Sequence, residues 1–220
     1  MQNLLANNMI NGQLITGDVI DETLLDALAS VNRSDFVPEQ FKNVAYIDEE
    51  IALGNGRFLI EPLVFARILK YAAITKSETV LDVGCATGYS TAVISQLAGK
   101  VIAIEENKEL AAKAKSIFIK YQNIRFFESE LKSGYEKEAP YDVIIIEGAI
   151  EIEPKELFVQ LREGGRLLAI EHTSPEKISY SGLGKLVEYK KIAGIMYKTM
   201  LHDASSHLLE QFRKTASFVF

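Results

Sequence analysis

The stretch Val80-Leu81-Asp82-Val83-Gly84-Cys85-Ala86-Thr87-Gly88-Tyr89-Ser90 constrains the fold more than any other part of the chain. Its first half is an apolar, β-branched run suited to a strand buried on both faces, and the helical pattern Tyr89 to Leu97 comes directly after it. Small residues at alternate positions, Gly84, Ala86 and Gly88, predict a sharp loop between strand and helix. Its backbone N–H groups are expected to face outward at a helix N-terminus, a cradle for a small anionic or polar ligand.

Spacing narrows the ligand. A dinucleotide asks for three glycines in G-x-G-x-x-G, whereas here the order is Gly84-x-Ala86-x-Gly88 with bulky Tyr89 next. A ligand with one carboxylate and no phosphate asks less of the loop, and Asp82 at the strand end suits a cationic amine. S-adenosylmethionine carries both groups. The next strand, Val101 to Ile104, ends in Glu105, 21 positions after Gly84, where an acid meets the ribose of a bound nucleoside. On that reading Glu105→Ala weakens the ligand and leaves the fold intact. A tight turn with no ligand remains the alternative for the loop alone.

Two hundred and twenty residues, 48% of them apolar, suffice for one sizeable core with a smaller attached lobe. A net charge of −6 with scattered Lys and Arg offers no basic stripe, so neither nucleic acid nor a membrane surface is an expected partner. Cys85 is the sole cysteine, which excludes internal disulfides and a cysteine-based zinc site. The start Met1-Gln2-Asn3-Leu4-Leu5 lacks a basic secretory region, and apolar runs such as Val143 to Ile146 are far shorter than the roughly 20 residues of a membrane helix. A cytoplasmic protein is expected. His172, His202 and His207 have no metal-ligand spacing, and no metal is expected.

Along the chain, Asp21 caps a helix carrying Leu24, Leu25 and Leu28, and Pro38 breaks the chain after Asp35-Phe36-Val37. Leu53-Gly54-Asn55-Gly56 leads into Arg57 to Glu61 and a helix from Pro62 to about Ala72. Residues 1–72 read as an N-terminal helical lobe with a substrate loop, and 73–220 as the ligand-binding domain. From Thr79 strands and helices alternate: helix Lys108 to Tyr121, strands Ile124 to Phe127 and Tyr141 to Ile146, and a short helix from Pro154 through Leu161. Gly164-Gly165 then turns into strand Arg166 to Ile170. The alternation predicts an α/β fold, a doubly wound, mostly parallel sheet with helices on both faces. After a connection Ser179 to Gly184, two further strands, Lys185 to Ile192 and Ile195 to Leu201, join at Gly194, and Ser217 to Phe220 reads as a last strand. Phe36, Tyr46 and Phe58 suit either an apolar lid or the core.

Asp35-Phe36-Val37-Pro38, Ala45-Tyr46-Ile47-Asp48, Gly54-Asn55-Gly56, Val80 to Tyr89, Ala103-Ile104-Glu105, Ala139-Pro140-Tyr141-Asp142 and Leu161 to Leu167 fall in the order and spacing of protein-L-isoaspartate O-methyltransferases. The chain resembles that family over about residues 10 to 170. The resemblance implies a Rossmann-like methyltransferase fold, S-adenosyl-L-methionine as cofactor, and a protein or peptide carboxylate, or a diverged methyl acceptor, as substrate. It places Gly84, Ala86 and Gly88 along the methionine part of the cofactor, with Ala86 in place of the family's middle glycine, and Asp82, Cys85, Thr87 and Tyr89 among the cofactor-binding residues. Glu105 goes to the ribose and Glu130 near the adenine amine, and Glu106, Leu131 and Glu147 to the cofactor site. Gly56, Phe58, Leu59, Ile60 and Glu61 form the substrate segment.

That segment departs from the family. Where the family has its serine hydroxyl this chain has Ile60, which neither donates nor accepts a hydrogen bond. The alanine-rich stretch after the fourth strand is Glu147-Gly148-Ala149-Ile150-Glu151 here, which adds acids to the cavity mouth. A carboxylate substrate, with a pKa of roughly 4, is ionised at neutral pH and needs no general base, so no catalytic residue is assigned. The departures leave a second expectation open: a protein that keeps the fold for cofactor binding or interaction without catalysis.

Overall fold

The computed structural model describes residues 2–172 and 181–214. Helix α1 (Gln2–Met9) runs into a wide π turn at Ile10–Leu14, neither of which the hydrophobic pattern predicts. Helix α2 (Glu22–Ser30) starts as expected on Asp21, whose carboxylate accepts the Leu24 N–H at 2.8 Å. Two 3₁₀ turns, Arg33–Phe36 and Glu39–Val44, lead to an antiparallel hairpin of β1 (Ile51–Gly54) and β2 (Arg57–Leu59). Helix α3 (Pro62–Ala72) begins on its proline, which has no N–H to leave unbonded in the first turn.

The main sheet then forms in chain order from β3 (Thr79–Val83), β4 (Lys100–Glu105), β5 (Ile124–Glu128), β6 (Tyr141–Ile150), β7 (Leu161–His172), β8 (Ser181–Ile192) and β9 (Ile195–His207). Helices α4 (Tyr89–Leu97), α5 (Lys108–Phe118) and the single turn α6 (Lys155–Phe158) make the crossovers. The spatial order is β5-β4-β3-β6-β7-β8-β9, parallel from β5 to β7 and antiparallel beyond. This is the doubly wound methyltransferase sheet with C-terminal antiparallel strands. The expected final strand Ser217 to Phe220 lies outside the described residues, as do Ser179 and Tyr180 of the expected connection, whereas Ser181 to Gly184 are not a connection but the start of β8, paired with β9.

Several boundaries differ from expectation: α5 ends at Phe118 and α6 at Phe158, short of Tyr121 and Leu161, β6 runs on to Ile150, and two further differences have local reasons. Gly164-Gly165 does not turn the chain into a strand; β7 already pairs at Leu161 with Tyr141, and the glycines sit in a bulge before Arg166 pairs with Val143. Glycine inside a strand pattern commonly marks such a bulge. The β8–β9 hairpin turns on Ala193 and Gly194, at φ 51° and 77°, and both strands extend further than their apolar runs.

Successive residues of the central strands enter opposite cores, as the two-residue period requires. Val80, Val101, Val143 and Ile145 join one layer with Leu24, Leu28, Phe36, Ile60 and Phe65, so the N-terminal segment closes the same core as α3 and α4. Leu81, Val83, Ile102, Ile104, Ile144 and Ile146 join the other. Because β3 is flanked by β4 on one side and β6 on the other, the winding reverses between β3 and β6. In open α/β sheets, ligands bind beyond the carboxyl ends of the strands at that reversal.

Candidate active site

The carboxyl ends of β3 and β6 bring together Asp82, the Gly84–Gly88 loop and Glu147. Gly84 and Gly88 adopt φ 81° and 96°, and Ala86 between them is also left-handed at 49°. A Cβ on Gly84 lies 2.7 Å from the Arg57 guanidinium, so only glycine fits. Ala86→Gly is therefore expected to be tolerated or to stabilise by roughly 0.5 kcal/mol, and Ala86→Val to cost about 1–2 kcal/mol, since a β-branched residue at positive φ is strained. Urea midpoints of the two variants check this.

Four of the N–H groups that the spacing predicts to face outward are turned inward, whereas the first-turn N–H groups of α4 have no acceptor among the described residues. Gly84 and Cys85 donate to Ile104 O at 3.0 and 3.1 Å, Gly88 donates to Cys85 O, and Ala86 donates to Glu105 Oε2 at 2.8 Å. The turn consumes these donors to hold its own shape. What it presents instead is the Gly84 carbonyl, which accepts from Arg57 Nη2 at 2.6 Å.

Glu105 is wholly buried. Besides Ala86 it accepts from Arg57 Nη1 at 3.0 Å and from the Glu106 and Asn107 N–H groups at 3.0 and 2.9 Å. Both of its oxygens are thus engaged within the chain. Sequence reasoning misses Arg57 because a single arginine after a glycine turn has no pattern; its partners lie 27 and 48 positions away.

Three buried polar atoms near the reversal have no hydrogen-bond partner among the described residues: Asp82 Oδ1, Glu147 Oε1 and Arg33 Nη1. Asp82 Oδ2 accepts the Ser90 and Thr91 hydroxyls at 2.8 and 2.5 Å. Burial pushes the Asp82 carboxyl up to about 6 despite those bonds. Burial and then the neighbouring Asp82 charge push Glu147 well above the ordinary carboxylate range, with Arg57 and Arg33 opposing. Arg33 is fully buried with its guanidinium 4.7 Å over the Tyr89 ring; Nε donates to Ala45 O at 2.7 Å and Nη2 to Ile60 O at 2.5 Å. Two acceptors and one donor left open in a buried space match a ligand bearing both an ammonium and a carboxylate.

The other predicted positions fall around this centre. Tyr89 is buried against Phe36 and Phe65, and the Thr87 hydroxyl donates to Phe36 O at 2.6 Å. Cys85 is buried, and burial raises its thiol. Leu131 lines the loop, 3.3 Å from the place of a Gly84 Cβ, while Glu106 and Glu130 are exposed. Gln211, near the C-terminus, joins the rim by accepting the Lys132 N–H at 2.9 Å and donating to Glu106.

On the substrate segment Gly56 is an exposed turn residue, and Leu59 and Ile60 are core. Phe36 and Tyr46 are core as well, not a lid: both are buried, Phe36 edge-on to Tyr89 and Tyr46 donating its hydroxyl to Asn32 Oδ1 at 2.8 Å. Phe58 stacks on His207, with ring centroids 3.3 Å apart. Glu61 is half-buried, and burial with the nearby Asp48 and Glu50 charges raises its carboxyl to about 7. Glu147 is buried and so enters the site as an interior acid, not a solvent-facing one.

The family model of "Protein-L-isoaspartate(D-aspartate) O-methyltransferase (PCMT)" matches residues 3–201, nearly the whole chain. The chain belongs to this family. A protein-L-isoaspartate O-methyltransferase of Koribacter versatilis is 36% identical over 197 residues, covering 89% of this chain and 86% of that one. Protein-L-isoaspartate O-methyltransferase 2 of Shewanella sediminis is 36% identical over 163 residues, 73% of this chain and 67% of its own length. Among solved structures, a protein-L-isoaspartate O-methyltransferase superimposes with a TM-score of 0.79 at 20% identity, covering 95% of this chain and 66% of the other. A putative family member from Plasmodium falciparum, in complex with S-adenosyl-L-homocysteine, gives 0.77 at 20% identity over 94% and 97%. At such identity the two structures establish the shared fold, and the sequence relatives establish the family.

Proposed function

We propose that this family member transfers a methyl group from S-adenosylmethionine to the side-chain carboxylate of an isoaspartyl residue in a protein or peptide. The observation that carries the cofactor half is the set of open buried atoms at the strand reversal. Asp82 and Glu147 suit the ammonium of the methionine end, and Arg33 Nη1 suits its carboxylate. Family membership and the S-adenosyl-L-homocysteine in the similar Plasmodium falciparum structure support the same ligand. The bound cofactor supplies an activated methyl on a sulfonium; the chain binds it, excludes water and aligns the acceptor.

An ionised carboxylate needs no base, so the residues around the acceptor position it and offset its charge. Ile60 is 3% exposed and packed in the core, and it supplies none of this. The family-directed test is turnover of an isoaspartyl peptide with labelled cofactor; release of label as methyl ester is expected, and cofactor binding without any ester would favour a silent binding protein. Ile60→Ser is expected to raise that turnover by a few-fold to about tenfold, the worth of one positioning hydrogen bond of about 0.5 to 1.5 kcal/mol. The same change gives up buried apolar surface worth roughly 2 kcal/mol of stability, so rate and melting temperature must be read together.

A further inference from the structure

We propose that His207, held by Glu50 at the end of β9, is the group that receives the acceptor carboxylate in place of the hydroxyl absent at Ile60; this rests on the isoaspartyl reading above. His207 Nδ1 pairs with Glu50 Oε2. The other Glu50 oxygen accepts the Ser206 hydroxyl at 2.6 Å and the His207 N–H at 3.3 Å. With the Glu50 side chain 10% exposed and that of His207 21% exposed, the carboxylate is fixed from three sides and the ring keeps one edge toward solvent. Among the described residues Nε2 has no hydrogen-bond partner. A protonated imidazole donates at both nitrogens, so Nδ1–H engages Glu50 and Nε2–H remains for an incoming anion.

The ring is also in the right place. Its stacking partner Phe58 lies in β2, which ends at Leu59, one residue before Ile60, so the ring sits against the segment that carries the substitution. Arg57, between the glycine loop and this segment, reaches the cofactor side at Gly84 and Glu105, so β2 links the two halves of the site. From the other direction, Leu208 bridges to Ala149 and Leu209 N–H donates to Ala149 O at 2.9 Å. This lays the end of β9 along the end of β6, where a Cβ on Gly148 is 3.2 Å from His207 O, one residue from Glu147.

The charges around the ring are mostly acidic: Glu50 in contact, and Asp48 and Glu61 clustered with Glu50 before β1 and after β2, with Arg67 the one cation that acts on Glu61. Three acids outnumber Arg67 there, so this mouth disfavours a carboxylate substrate, and a protonated His207 offers the donor it needs at the edge left open. The chemistry recognised is an isoaspartyl carboxylate beside an extended peptide, not a neutral amide of the same shape.

The test compares the full-length protein with His207→Phe, which keeps the stack on Phe58 and removes the donor. Steady-state turnover is measured on an isoaspartyl peptide between pH 6 and 8, with the matching isoasparaginyl peptide as competitor. The wild type is expected to show a KM that rises with pH and a clear preference for the carboxylate. In His207→Phe, KM at pH 6 is expected to rise by roughly ten- to thirtyfold with kcat changed far less, as for loss of a charged hydrogen bond. Glu61, pushed up to about 7, titrates inside the measured window, so the difference between the two pH profiles isolates His207. Cofactor affinity by calorimetry and the melting temperature serve as folding controls. An unchanged KM and the same slope with pH in the variant would overturn the role of His207 while leaving the isoaspartyl reading standing. No ester from the wild type at any pH would overturn both.

Discussion

Glu105→Ala is expected to destabilise the protein by about 3–5 kcal/mol, seen as a lower urea midpoint at an unchanged m-value. The strand-end position of Glu105 suggests a residue that touches only a ligand and can be removed at no structural cost. Its surroundings say otherwise. The carboxylate is fully buried and accepts four hydrogen bonds, from Arg57, Ala86, Glu106 and Asn107. Truncation leaves the 7%-exposed Arg57 guanidinium without its counter-charge and three loop N–H groups without an acceptor. A buried unpaired charge is the largest of these costs. A ribose contact by Glu105 requires Arg57 to yield one of its bonds, so weaker cofactor binding in the variant would follow from a disordered loop as readily as from a lost contact. A midpoint within about 1 kcal/mol of wild type would show that the network is replaced by water and that Glu105 is free for the ligand.

The strand, loop and helix around Gly84 are legible in the sequence because they are local: β-branched residues, small residues at alternate positions and a helical pattern succeed one another within eighteen residues. The reversal at β3 and β6 comes from the regular alternation of elements. The electrostatics of the site are not legible. Arg33 and Arg57 stand in segments with no periodicity, and their meaning comes from Ile60, Gly84 and Glu105, far along the chain. Glycine spacing predicts outward N–H groups, but spacing says where a chain bends and not which donors the bend consumes. His207 and Gln211 lie past the segment where the family pattern is clear, and only the antiparallel return of β9 brings them to the mouth. Ile60 is legible as a substitution; its burial is not.

The unpartnered oxygens of Asp82 and Glu147 carry the other large expectation. Both carboxyls bind protons more tightly in the folded, ligand-free chain than in the unfolded one. The folded state therefore loses stability as pH rises from the ordinary carboxylate range, through about 6 for Asp82 and higher for Glu147. Glu147→Gln removes one of the two mutually repelling acids while preserving shape, and is expected to stabilise the ligand-free protein by about 1–2 kcal/mol at pH 8, with little effect at pH 5. For a cationic ligand the sign inverts. An ammonium placed between the two carboxylates favours their ionised forms, so cofactor binding near pH 6.5 is expected to release protons. The calorimetric heat then varies with the ionisation heat of the buffer. In Glu147→Gln that release shrinks and affinity falls by roughly 30-fold to several hundred-fold, the usual cost of removing one partner of a buried charge contact. A variant that binds S-adenosylmethionine as tightly as wild type, with the same proton release, would place the ammonium elsewhere and leave the buried acid pair without a ligand role.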